Sequence, residues 1–138
     1  MLLEWGDEND GVTVWRCGRA LLHTRARGRL GVDVVEAFLA QLDAMVSEGV
    51  RGVVVFHDFE ALLGYDSAAR QRLTEWRRSA PAGTTRALHL LVRSKLVAMG
   101  ASTASLALRL VGVELQSYTD RGSFERALET ARVSARTP

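Results

Sequence analysis

One cysteine, one lysine and no hydrophobic run long enough to cross a bilayer: these scarcities narrow the 138-residue chain before any motif is read. Cys17 has no second thiol to pair with, which excludes an internal disulfide, and it lacks the nearby base or C-x-x-C partner of a reactive nucleophile. The longest uncharged stretch, Leu96 to Leu108, is thirteen residues and contains glycine, serine and threonine. A span needs roughly 20 predominantly apolar residues. The acids Glu4, Asp7, Glu8 and Asp10 follow Met1-Leu2-Leu3 at once, which is unlike a secretory leader, and a cytoplasmic protein is expected. A glycine-rich phosphate loop is missing too: Gly100-Ala101-Ser102-Thr103-Ala104 falls inside a helical stretch and lacks the lysine of a Walker loop.

What is present describes one globular domain over residues 1–138, with 47% hydrophobic and 25% charged residues and enough length to bury a core without metals or disulfides. Seventeen arginines set the pI near 9.2, yet the net charge is only +2. Arg16, Arg19, Arg25, Arg27 and Arg29 form a stretch with no acid among them. No aromatic residue follows Trp15 there to stack on bases, so a solvated strand end and loop is expected and no nucleic-acid partner.

The organising stretch is Arg51-Gly52-Val53-Val54-Val55-Phe56-His57-Asp58-Phe59. Four consecutive large apolar residues, three of them β-branched, have the pattern of a strand covered on both faces. Before it, Leu2–Trp5 and Val12–Trp15 flank a polar turn as a hairpin, Ala20–His23 extends it or adds a strand, and 25–29 reads as loop. Val35, Phe38, Leu42 and Met45 then mark a helix capped by Asp33 and closed by Gly49. After the central strand, 60–65 reads as an apolar loop. Asp66 is placed to cap a helix from Ser67 to about Ser79, ended by Pro81-Ala82-Gly83. A strand over 87–92, a helix from Lys95 to about Leu110 capped by Ser94, an edge strand over 113–118 and a last helix begun near Asp120 complete the pattern. The prediction is an α/β domain: a mixed sheet with an N-terminal β-hairpin followed by αβαβαβα.

Tyr65-Asp66-Ser67-Ala68-Ala69-Arg70 with Leu73-Thr74-Glu75-Trp76, then Leu90-Leu91-Val92-Arg93-Ser94-Lys95-Leu96-Val97-Ala98-Met99-Gly100, then Tyr118-Thr119-Asp120-Arg121 before Phe124-Glu125 resemble the STAS or SpoIIAA-like family. That family comprises anti-sigma factor antagonists and uncharacterised bacterial relatives, with a lipid-binding branch related to SEC14-type domains. The likeness covers most of residues 50–132. It implies a single STAS/SpoIIAA-like domain that is not an enzyme, needs no cofactor and works through a protein partner. In antagonists a phosphorylatable serine follows the central strand within Asp-Ser-Ser-Gly. Here the strand ends in His57-Asp58-Phe59 and the nearest serine, Ser67, comes about nine residues later at a helix start. A phosphate on Ser67 would gain from the positive helix end, with Arg70 one turn along.

Two features carry the functional expectation. His57 and Asp58 end the central strand, and Tyr65, Asp66 and Arg70 close the same mouth as partner- or ligand-binding candidates. Adjacent residues on an extended chain face opposite ways, so His57 and Asp58 do not form a general-base pair, and no spacing among His23, His57 and His89 suggests a metal site. The helix over 95–109 has no charge between Lys95 and Arg109, and small residues such as Gly100 and Ala104 alternate with Met99, Leu106 and Leu108. Such a helix is covered by a neighbouring helix, by a partner or second copy that docks on Met99 and Ala104, or by an apolar ligand. The expected function is a protein-protein interaction module and homodimer in bacterial regulation; the alternative is a carrier or sensor of an apolar small molecule or lipid.

Overall fold

In the computed structural model, which describes residues 3–136 save the side chains of residues 96 and 103–107, the chain runs β1 (Leu3–Gly6), β2 (Gly11–Gly18), β3 (Leu21–Leu30), α1 (Val32–Ser47), β4 (Val53–Tyr65), α2 (Ser67–Ser79), β5 (Thr85–Val92), α3 (Lys95–Leu110), β6 (Glu114–Tyr118) and α4 (Arg121–Arg136). The six strands form one sheet in the order β1-β2-β3-β4-β5-β6. β1, β2 and β3 pair antiparallel, and β3 through β6 pair parallel. The expected α/β architecture is therefore the one adopted, with the N-terminal hairpin enlarged to three strands.

β4 is interior, hydrogen-bonded to β3 on one side and β5 on the other, and its first six residues, Val53 to Asp58, are all buried. Alternation along it builds two cores. Val53 and Val55 join Phe38, Leu39, Leu42 and Met45 of α1, Ala69 and Trp76 of α2, and Val97 and Leu108 of α3. Val54 and Phe56 join Phe124 and Leu128 of α4. Three helices thus lie on one face of the sheet and α4 alone on the other. The helices load their face unequally: α1 buries six hydrophobic residues, whereas α2 buries only Ala69 and Trp76.

Three local expectations are corrected. Residues 25–29 are not a loop but the second half of β3, paired with both β2 and β4. Thr24 and Ala26 point inward, while Arg25 ion-pairs with Asp58 at 3.2 Å and the Arg27 Nε donates to the Asp7 carbonyl at 2.6 Å, so the arginines lie on a strand with partners. Gly28 allows the bend there: its φ is +72°, and a Cβ would meet the Asn9 carbonyl at 2.0 Å. Residues 60–65 likewise continue β4, anchored by Leu62, which is buried beside β3. The first helix is capped by the extended backbone of Gly31, and Asp33 sits inside its first turn. Asp66 and Ser94 occupy the N-cap positions the sequence assigns them, and the Ser94 hydroxyl accepts from the Val97 N–H at 3.4 Å.

Candidate functional site

The end of β4 delivers consecutive side chains to opposite faces, and two different environments result. His57 turns toward α1. Its Nδ1 is 2.7 Å from the Thr24 hydroxyl, its ring stacks on Phe59 at 4.7 Å, and the edge of the Phe38 pair lies at 5.1 Å. Burial, reinforced by the Arg77 charge, pushes its pKa down to about 3, so the ring is a neutral imidazole at physiological pH. Asp58 turns toward α4, where its carboxylate accepts from Arg121 Nη2 through both oxygens at 3.0 and 2.9 Å and from Arg25 Nε at 3.2 Å. Arg121 also reaches Glu60 and Glu125, and this carboxylate cage raises its pKa. The buried charge is fully engaged, and the network ties the first turn of α4 to the sheet.

On the His57 side the thin packing of α2 leaves a cavity of about 530 Å³ between α1, α2, α3 and the sheet. Val35, Phe38, Leu88 and Leu90 form its floor, Leu73 and Trp76 one wall, and Val97, Gly100 and Ala101 the other. The size falls within the ~300–1,000 Å³ of small-molecule sites, and the lining is mostly apolar. The Trp76 Nε1 donates to the Asp43 carboxylate at 2.7 Å, fastening α2 to α1 beside the cavity. Gly100 lets α3 close over Tyr65, since a Cβ there would come within 2.9 Å of the Tyr65 hydroxyl.

Of the residues singled out by sequence, the cavity gathers His57, Tyr65 and Arg70. Asp58 is on the opposite face. The Asp66 carboxylate pairs with Arg29 rather than with the backbone of α2, and Ser67 is exposed at the helix start. Met99 is exposed on α3, and the side chain of Ala104 lies outside the described residues. His23 and His89 face α4, apart from His57, each lowered in pKa by burial, His23 to about 4. Among the described residues no group of three or more His, Cys, Asp or Glu is placed to hold a metal, and no helix is long and apolar enough to cross a membrane.

Sequence reasoning missed Arg77. The Arg77 side chain lines the cavity, and its Nη1 is buried without a hydrogen-bond partner among the described residues. The signal was the spacing Arg70, Leu73, Thr74, Arg77, a single helical stripe in which Leu73 marks the inward direction.

No family model matches the chain, and no curated protein does. Solved structures do. An uncharacterized protein of the DUF3478 family with a SpoIIAA-like fold, from Shewanella loihica PV-4, superposes with a TM-score of 0.63 at 13% identity, over 90% of this chain and 98% of that one. An anti-sigma factor antagonist from Mycobacterium paratuberculosis gives a TM-score of 0.53 at 12% identity, over 86% and 94% of the respective chains. These superpositions cover most of each chain, and this chain has the SpoIIAA-like, or STAS, fold.

Proposed function

We propose that the protein is a non-enzymatic STAS-like interaction module of the bacterial cytoplasm, docking a regulatory protein partner or a second copy of itself. The observation that carries this reading is the fold it shares with an anti-sigma factor antagonist. The surface supports it: Ser67 and Arg70 are exposed just beyond the carboxyl end of β4, and α3 exposes Met99 at 66% and Leu110 at 81%. His57 and Asp58, being buried, act behind this surface by fixing the end of β4. Ser67 is the modification candidate in the regulatory version. Light scattering after size exclusion tests the self-docking form, with a dimer in the parent protein and a monomer for Met99→Glu. Phosphate incorporation with the cognate kinase tests the modification, and undiminished labelling of Ser67→Ala removes that residue from the reading.

The cavity favours a second reading, a carrier or sensor of an apolar small molecule held beneath α2 and α3. It supports this reading because an apolar void of about 530 Å³ forfeits dispersion contacts unless something fills it. Native mass spectrometry of freshly purified protein is the test. A copurified ligand displaced by an Ala101→Trp substitution supports it, and an empty protein that ignores apolar ligands refutes it.

A further inference from the structure

We propose that the cavity binds a single-chain aliphatic anion, a long-chain carboxylate, with the Arg77 guanidinium as counter-charge to its head and the space between the sheet, α2 and α3 as the seat of its chain. The inference rests on the small-molecule reading and adds the ligand's charge and shape.

The charge follows from the lining. Among the described residues, three arginines, Arg70, Arg77 and Arg78, border the cavity, and no aspartate or glutamate does. Arg70 and Arg78 are exposed, but the Nη1 of Arg77 is buried and makes no hydrogen bond among the described residues. Buried cations in folded proteins are normally paired, because an unmatched one pays the full cost of leaving water. Burial lowers the Arg77 pKa, with no acid near enough to offset it. His57, whose pKa the Arg77 charge helps to depress, is neutral and supplies no counter-ion. A carboxylate matches the planar fork of a guanidinium, and a turn of the Arg77 side chain toward the cavity would bring its buried Nη1 into a charge-assisted bond with such a head.

The shape follows from the volume. Taking a methylene at about the ~30 Å³ share of a liquid water, 530 Å³ holds roughly 16 to 18 carbons, which is one chain rather than two. The walls are Leu, Val and Phe side chains with the small residues Gly100 and Ala101, suited to a flexible hydrocarbon and offering few fixed polar groups.

The test uses the full chain stripped of bound lipid, with the fluorescent 18-carbon carboxylate cis-parinarate as reporter and palmitate or hexadecanol as competitor. Palmitate is expected to displace the reporter at least tenfold more effectively than hexadecanol. Arg77→Met, which exchanges the half-buried guanidinium for an apolar side chain of similar reach, should fold normally and weaken palmitate at least tenfold while leaving hexadecanol unchanged. Arg93→Met, an exposed residue outside the cavity lining, should match the parent. Ala101→Trp should block both competitors. Equal palmitate binding by Arg77→Met and the parent, or hexadecanol binding as tightly as palmitate, overturns the anionic head while leaving the apolar-ligand reading standing. No binding of either ligand, or binding that survives Ala101→Trp, overturns the cavity as a ligand site altogether.

Discussion

At the scale of single residues, His57 and Asp58 show how one peptide bond separates two chemistries. His57 is buried neutral with its pKa near 3, well below the ~6.5 of an exposed imidazole, so the unfolded chain takes up the proton first as the solution is acidified. Its contribution to stability is whole above about pH 6.5 and is lost as pH falls from there toward 3. At about 1.4 kcal/mol per pH unit, His57 alone removes about 3 kcal/mol by pH 4. Urea midpoints measured from pH 7 to pH 4 should fall accordingly, and His57→Gln should make that fall shallower without abolishing it, because His23, lowered to about 4, and His89 add to the same slope. Asp58 behaves differently. Arg121→Met should cost about 3 kcal/mol, since it leaves the buried Asp58 carboxylate only Arg25, whereas Asp58→Asn should cost less because Arg121 keeps Glu60 and Glu125, and the double variant should cost less than the sum. Both residues were legible as the end of a strand, and alternation correctly set them on opposite faces. Arg77 was overlooked because a helical arginine is usually solvated; its place on the Leu73 stripe pointed inward, and the void beneath its own thinly packed helix gives the side chain room there.

At the scale of elements, α2 is the weakest joint of its face. Its boundaries, Ser67 to Ser79, could be read from Asp66 and Pro81, yet two buried residues hold it, helped by the Trp76 to Asp43 bond. Trp76→Phe should cost about 1 kcal/mol for that bond and shift little else. Amide exchange of the ligand-free protein should show α2 opening well before α1 and β4, because few buried apolar contacts resist it. Equal protection of α1 and α2 would contradict the account of the cavity given above. The strand halves at 25–29 and 60–65 carry no clear alternation of their own, the first crowded with arginines and the second apolar but broken by Gly64, and only pairing with each other makes both extended. Sequence patterns report a strand's faces, whereas its length depends on a partner that lies about 35 residues away.

At the scale of the whole molecule, the apolar exposure on α3 among the described residues sits at two places, Met99 near its start and Leu110 with Val111 at its end, about 16 Å apart along the helix axis. A self-association surface that uses both would run along the helix. Met99→Glu and Leu110→Glu should then each weaken a dimer, and light scattering that shows only one of them doing so would confine the contact to that end. The strand order bears on how the chain reaches this shape. Since every strand neighbours its predecessor in sequence, none must thread between two already joined, and each closure spans one helix or one turn. Assembly can spread outward from the β3–β4 ribbon in both directions, and because that parallel ribbon joins residues about 35 apart, its closure is the slow step that refolding waits on.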